Sequence, residues 1–172
     1  MLQKKIQDDV IGNAQQWIEL LTAGDCEPEE RLDTITRDAA AIFRVPIAMI
    51  NLVDKNTIRF KSSVGLKQGS SIDRCGAFCS IGVRQENCFS IVDAVNHADY
   101  KDYSLVTGPL KIRSYIGKSV HAPDGTRIGT LCLFDTKPRK YTRVEVHALR
   151  DLAEMVDYEI REILGDKSFL KV

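Results

Sequence analysis

The chain has 172 residues, 44% of them hydrophobic and 28% charged, enough for one domain with a substantial core. Its 24 Lys plus Arg balance 24 Asp plus Glu, so no overall field draws it to nucleic acid or an anionic membrane. The longest uncharged apolar run, Val45 to Val53, falls far short of the roughly 20 residues of a membrane helix. The N-terminus has no apolar signal region, and five cysteines without disulfide-scaffold spacing point to a reducing cytoplasm.

In chain order, Gln3 to Leu21 reads as a helix, with Ile6, Val10, Ala14, Trp17, Ile18 and Leu21 at spacings of three and four. A second helix is expected over Pro28 to Phe43. Pro28 suits its first turn, Glu29 and Glu30 complement its N-terminus, and Leu32, Ile35, Ala39, Ile42 and Phe43 form its stripe. Pro46 to Val53 is apolar on both faces apart from Asn51, as in a central strand. Thr57 to Val64 alternates, with Ile58, Phe60 and Val64 on one side and Arg59 and Lys61 on the other, and pairs with it as a hairpin.

Gly65 to Arg74 reads as loop. Ala77 to Arg84 forms a short helix carrying Phe78, Cys79 and Ile81, and Cys88 to Val92 a brief strand ending at Asp93. Ala94 to Pro109 is irregular, with room for a helical turn near Tyr103 to Val106. Arg113 to Asp135 is a hairpin around Asp124-Gly125, because Asp-Gly supplies the positive φ that tight turns need. A two-residue loop puts Tyr115 opposite Phe134, Gly117 opposite Cys132, Ser119 opposite Thr130 and His121 opposite Ile128, all on one face of small, mildly polar residues with aromatics at one end. Ile116, Leu133, Lys118, Leu131, Val120 and Gly129 form the other face, suited to packing helices. Thr142 to Leu164 is a helix with a capping box, Thr142 with Glu145, and a stripe of Leu149, Leu152, Ala153, Val156, Ile160 and Ile163, stopped by Gly165.

The sum is an α+β domain with an antiparallel sheet, helices on one face and the long middle segment, about Gly65 to Lys111, over the other. Long ordered segments of this kind often carry function. Cys75 and Cys79 are four apart, and with Cys88 three thiols could meet in one pocket for redox, metal or reductase chemistry. The simpler reading packs them as small hydrophobes, since neither zinc spacing nor Cys-x-x-Cys is present. Asp93 either meets a ligand or caps the turn after it, the cap being the simpler reading. Tyr100 and Tyr103 close over a pocket or anchor the loop, and Tyr115, beside Gly117 and Ser119, is the better pocket wall. His97, His121 and His147 are far apart, and no GxSxG, P-loop or GxGxxG occurs.

Three stretches carry a family resemblance: RCGAFCSI at Arg74 to Ile81, SIVDA at Ser90 to Ala94, and Arg113 to Arg139 with its Tyr-x-Gly start, Pro-Asp-Gly turn, Ile-Gly-Thr-Leu-Cys strand and Asp-Thr-Lys-Pro-Arg exit. On them the chain resembles a GAF domain over about Leu32 to Ile160. The resemblance implies a GAF-like, PAS-related fold: a central antiparallel sheet, terminal helices on one face and a small-molecule pocket beneath the loops on the other. It implies residues 1–24 as a helix for dimerisation, 25–165 as the GAF domain and 166–172 as a tail. Candidate ligand-binding residues are Cys75, Phe78, Cys79, Asp93, Tyr103, Tyr115, Gly117, Ser119 and Cys132.

The function so implied is a non-catalytic, cytoplasmic, homodimeric sensor of an unidentified small molecule, acting on a downstream signalling protein, with no nucleic-acid or membrane partner, no metal and no identified cofactor. Ligand binding would bias Gly65 to Lys111 and pass through the sheet to the terminal helices. The Asn-Lys-Phe-Asp-Glu signature of cyclic-nucleotide binders is not found, and Ala94 to Lys111 holds no bilin-type cysteine. The two rival readings are a thiol reductase of the free methionine sulfoxide type, though its Trp-x-Gly-Phe-Tyr stretch is absent, and a structural dimerisation module with a filled pocket.

Overall fold

The computed structural model describes residues 14–23 and 29–165. The described part of the first helix, α1, covers residues 14–22; the expected turns carrying Ile6 and Val10, and Pro28 of the second helix, lie outside the described residues. The remaining elements are α2 (Glu30–Phe43), β1 (Ile47–Val53), β2 (Thr57–Val64), β3 (Ser71–Asp73), α3 (Phe78–Gly82), β4 (Phe89–Ile91), a 3-10 turn (Ala94–Asn96), α4 (Ser104–Thr107), β5 (Ser114–His121), β6 (Arg127–Asp135) and α5 (Arg143–Leu164). Six strands form one sheet in the order β3-β2-β1-β6-β5-β4, every neighbouring pair antiparallel. The architecture is α+β, as the order of hairpins and helices predicts.

The apolar run of β1 is explained by its place near the middle of the sheet, where all seven residues are buried. Ala48, Ile50 and Leu52 face one core, shared with α1, α2 and α5. Ile47, Met49 and Val53 face a second core, roofed by α3, α4 and their loops. The described part of α1 buries Ala14, Trp17, Ile18 and Leu21 in the helix-side core of its own chain. Ile18 and Leu21, almost fully buried, each contribute roughly 1.5–3 kcal/mol by removal from water.

The capping box of α5 forms as expected: the Glu145 amide donates to Thr142 Oγ1 at 3.2 Å, and the Thr142 amide to Glu145 Oε2 at 2.8 Å. Two helix stripes are corrected. Ile42 of α2 is 60% exposed, and the α5 stripe continues from Ile160 to Leu164, four residues on, leaving Ile163 at its margin. One turn of helix places position 164, not 163, over the sheet.

Two β-bulges correct the expected faces. Between Ile50 and Asn51 the β1–β2 register shifts, so Ser62 opposes Ile50 while Phe60 opposes Asn51, and Lys61 is the extra residue. Ile58 and Phe60 therefore face the loop-side core. Ser62 turns to α2, where Thr36 Oγ1 donates to Ser62 Oγ at 2.8 Å and Ser62 Oγ to Asp33 Oδ1 at 2.5 Å. Val64 pairs with Ala48 and shares its helix-side face rather than that of Ile58 and Phe60.

In the β5–β6 hairpin the loop is 122–126 rather than two residues, with the Ala122 amide donating to Thr126 O at 2.9 Å and Gly125 at φ +85°. Ile128 is then an extra residue, so His121 pairs with Arg127 while Val120 still meets Gly129. The bulge restores the expected register from Ser119–Thr130 to Tyr115–Phe134. It also sends Ile128 into the helix-side core and His121 to α5, where its amide and Nδ1 reach the Asp157 carboxylate at 2.7 and 2.9 Å. Gly65 to Arg74 is not all loop: Ser71–Asp73 pairs with β2 as the sheet edge.

Gly129 is where the sheet has no room. A Cβ there would stand 1.8 Å from the Asn51 carbonyl oxygen and 3.1 Å from Leu52 Cα. Gly129→Ala must force β1 and β6 apart and is expected to cost at least about 2 kcal/mol. Gly125→Ala, in open space but at positive φ, should cost only about 1 kcal/mol. Urea unfolding of both variants checks the order; equal effects would contradict this packing.

Candidate functional site

The loop-side face of the sheet is covered by α3, the 3-10 turn, α4 and the segments between them. The face of small residues on β5 and β6 is not an open concavity, because Tyr115 lies across it. A Cβ on Gly117 would stand 2.2 Å from the Tyr115 hydroxyl oxygen and 2.8 Å from Cζ, and one on Gly82 of α3 would stand 2.9 Å from the same oxygen. Glycine at both positions is what lets the phenol lie between sheet and helix. The ring is fully buried and meets Phe134, Phe78 and Phe89 at centroid distances of 5.0, 5.5 and 6.0 Å.

The Tyr115 hydroxyl ends among Cys79, Cys132 and Thr130 without a well-formed hydrogen bond. Asn51, the one polar residue of β1, organises this cluster. Its amide donates to Cys79 Sγ at 3.0 Å and Cys132 Sγ at 3.3 Å, and its carbonyl accepts from Thr130 Oγ1 at 3.1 Å. The two sulfurs are 3.7 Å apart and unbonded. Burial pushes the Tyr115 phenol and the Cys132 thiol well above their usual values. Burial acts the same way on Cys79, but the hydrogen bonds around it, that of Cys132 foremost, outweigh it and hold this thiol below its usual value.

Beside this cluster lies a partly open apolar cavity of about 110 Å³. Ile47, Met49, Ile58, Phe60, Phe134 and Ile72 of the edge strand come from the sheet; its roof is Leu66, Leu105, Leu110 and Ile112. Cys79 is the only candidate from the sequence that lines it, and the only heteroatom-bearing side chain besides Met49. The roof comes from segments whose polar composition hid it: isolated leucines and isoleucines in a loop give no period. The remaining candidates do not line it.

Phe78 stacks on Tyr103 at 5.6 Å and meets Tyr100 edge-on at 5.7 Å, so Tyr103 anchors the loop through an aromatic cluster. Asp93 stands before the 3-10 turn without a side-chain cap; its carboxylate is gripped by Arg113, at 3.0 Å from Nε and 2.6 Å from Nη2. That grip holds its pKa below the usual carboxylate value. Ser119 is buried, its hydroxyl 3.4 Å from Gln85 O. The three thiols of the middle segment do not converge: Cys79 pairs with Cys132, Cys75 is exposed, and Cys88 is half-buried against the helix-side core. Among the described residues no group of three or more His, Cys, Asp or Glu could hold a metal.

Comparison with known proteins agrees with this geometry. Residues 27–160 match the family described as GAF domain. A cyclic di-GMP phosphodiesterase of Pseudomonas aeruginosa is 30% identical over 111 residues, 64% of this chain but 19% of that protein, so the chain spans about a fifth of this relative's length. The GAF domain of the Acinetobacter phosphoenolpyruvate-protein phosphotransferase superposes with a TM-score of 0.66 at 18% identity, over 93% of this chain and 96% of that one. The free methionine-R-sulfoxide reductase of Neisseria meningitidis, solved with its substrate, superposes at 0.63 with 18% identity over 88% and 92%.

An unpartnered buried hydroxyl is a cost, while the ring that carries it is the largest side chain on this face. Tyr115→Phe should therefore leave stability within about 1 kcal/mol of wild type or raise it, whereas Tyr115→Ala should lose about 3–5 kcal/mol. Chemical denaturation distinguishes the two, and a loss near that of alanine in the phenylalanine variant would mean the hydroxyl is bonded.

Proposed function

The chain belongs to the GAF domain family, and on that premise we propose that it is a non-catalytic regulatory module that responds to a small apolar molecule held beneath its loops. The observation that supports this most directly is the cavity: partly open, lined by apolar side chains, and roofed by segments that only short elements tie to the sheet. A volume of about 110 Å³ falls below the usual size of a site for a drug-sized ligand and close to that of engineered apolar cavities that stay dry and take up benzene. Nucleotides and bilins are too large and too polar for it. Among the described residues no helix is long and apolar enough to cross a membrane, and the free thiols fit a reducing cytoplasm.

A response would reach the outside through the sheet. β1 and β6 carry cavity residues on one face and helix-side core residues on the other. α5 packs on that second face and is tied to the hairpin by the His121–Asp157 contact. On the side of α5 away from the core, Val144, Met155 and Tyr158 are 78, 51 and 54% exposed and share a stripe. We assign this stripe to a second copy of the chain, in a homodimer that acts on a downstream signalling protein. The stripe of α1 is unsuited to that role in its described part, because it is already buried in the chain's own core.

A thiol reductase is the second reading, favoured by the 3.7 Å approach of the Cys79 and Cys132 sulfurs. It is the weaker one. Both sulfurs are sealed from solvent, and the hydrocarbon cavity beside them offers no partner for the charged ends of an amino acid.

Two measurements test the proposal. Benzene at about ten times its dissociation constant should raise the thermal midpoint by about 3–5 °C, and Leu105→Trp, which fills the cavity, should abolish the rise; no shift in the wild type would sink the cavity as a binding site. Sedimentation should show a dimer that Met155→Glu with Tyr158→Glu converts to monomer with its thermal midpoint otherwise preserved. A wild-type monomer at all accessible concentrations would remove the dimer from the proposal.

A further inference from the structure

A second concavity, of about 580 Å³ and open to solvent, lies at the end of the sheet beyond β3. It shares no lining residue with the apolar cavity. Lys55 and Asn56 of the β1–β2 turn form one wall; Asp73 to Gly76 and then Ser80 and Arg84 form the others. Three cations thus face one space with a single carboxylate, Asp73, whose Oδ1 accepts from the Cys75 amide at 2.8 Å.

The other nearby carboxylate, Asp54, is taken up by Arg59 at 3.1 Å. Arg74 Nη1 reaches only main-chain oxygens, of Asp54 at 3.2 Å and Lys55 at 3.5 Å. Among the described residues none of Lys55, Arg74 and Arg84 forms an ion pair. Burial and then the nearby charge of Arg84 lower the pKa of Arg74, while Asp54 opposes them. Lys55, Arg74 and Arg84 thus line one concavity that holds one carboxylate, Asp73, and Asp54, whose charge also acts on Arg74, is already paired with Arg59.

We propose that this pocket binds the phosphate group of a small phosphorylated molecule. A phosphate dianion accepts paired hydrogen bonds from guanidinium forks and neutralises two of the three cations. The Asn56 amide, without a partner among the described residues, supplies a further donor. The balance of charge over the whole chain, 24 against 24, restricts the attraction to this pocket and fits a small anion better than a polyanionic strand. The assignment is independent of the apolar cavity and would stand if that cavity proved empty.

Pyrophosphate is the probe. Calorimetry at physiological salt should show saturable one-site binding, weakened about tenfold or more by Arg84→Gln and again by Lys55→Gln, while Lys140→Gln, elsewhere on the surface, leaves it unchanged. None of these exposed side chains supports the core, and unaltered thermal unfolding in buffer confirms it for each. Exposed Cys75, on the pocket wall, gives a second readout: pyrophosphate should slow its alkylation by iodoacetamide, followed by peptide mass spectrometry. Absence of saturable binding, or binding indifferent to Arg84→Gln, overturns the proposal. So does binding to phosphatidic acid vesicles without binding to soluble pyrophosphate, which would make the pocket a membrane contact instead.

Discussion

Tyr115 lying across Gly117 and Gly82 is the contact on which the loop side of this domain depends. A six-stranded sheet with three helices on one face needs something to cover the other, and only short elements are available there. The phenol supplies the bulk: it fills the face opposite β5 and β6, carries α3 on its edge and meets Phe78, Phe89 and Phe134. Tyr100 and Tyr103 then build outward from Phe78. Because the ring occupies this half of the face, the space left over is displaced toward β1 and β2, where the side chains are hydrocarbon. The position and chemistry of the apolar cavity are thus consequences of one rotamer and the two glycines that admit it.

Much of the fold was legible in the residues. β2 and the cores of both hairpins followed from alternation, β1 from an apolar run too uniform for a half-exposed strand, and α5 from its capping box and stripe. Legibility failed at bulges. Lys61 and Ile128 are each one residue too many for the ladder, and nothing in their side chains marks them as extra. Yet each reverses the facing of everything beyond it, moving Ser62 onto α2, Val64 onto the helix-side face with Ala48, and His121 onto Asp157. β3 escaped notice for a different reason: three residues at a sheet edge, half in water, give no period to detect.

The site was legible as a face and not as a volume. Cross-strand pairing placed Tyr115, Gly117, Ser119 and Cys132 together on the loop side, where they are found. Whether small residues leave a hollow depends on where a neighbouring long side chain lies, and pairing rules carry no rotamer. The roof was hidden in a stretch of low apolar content, where Leu66, Leu105, Leu110 and Ile112 are too sparse and irregularly spaced to give a period. The polar pocket was hidden because its cations are scattered over thirty positions, and only the β1–β2 turn meeting the β3–α3 junction collects them.

That junction also joins the two concavities. β3 alternates, so Ile72 turns into the apolar cavity and Asp73 into the polar pocket; α3 does the same with Cys79 and Ser80. Neither element is anchored strongly: β3 pairs on one edge with three residues, and α3 is a turn and a half of helix. An occupant that shifts Ile72 outward must carry Asp73 with it, since adjacent residues of a strand cannot move independently. Interior packing leaves no slack to absorb such a shift. If both concavities bind, their occupants are therefore energetically coupled through these two pairs of neighbours, and the coupling must be reciprocal, each ligand changing the other's affinity by the same factor.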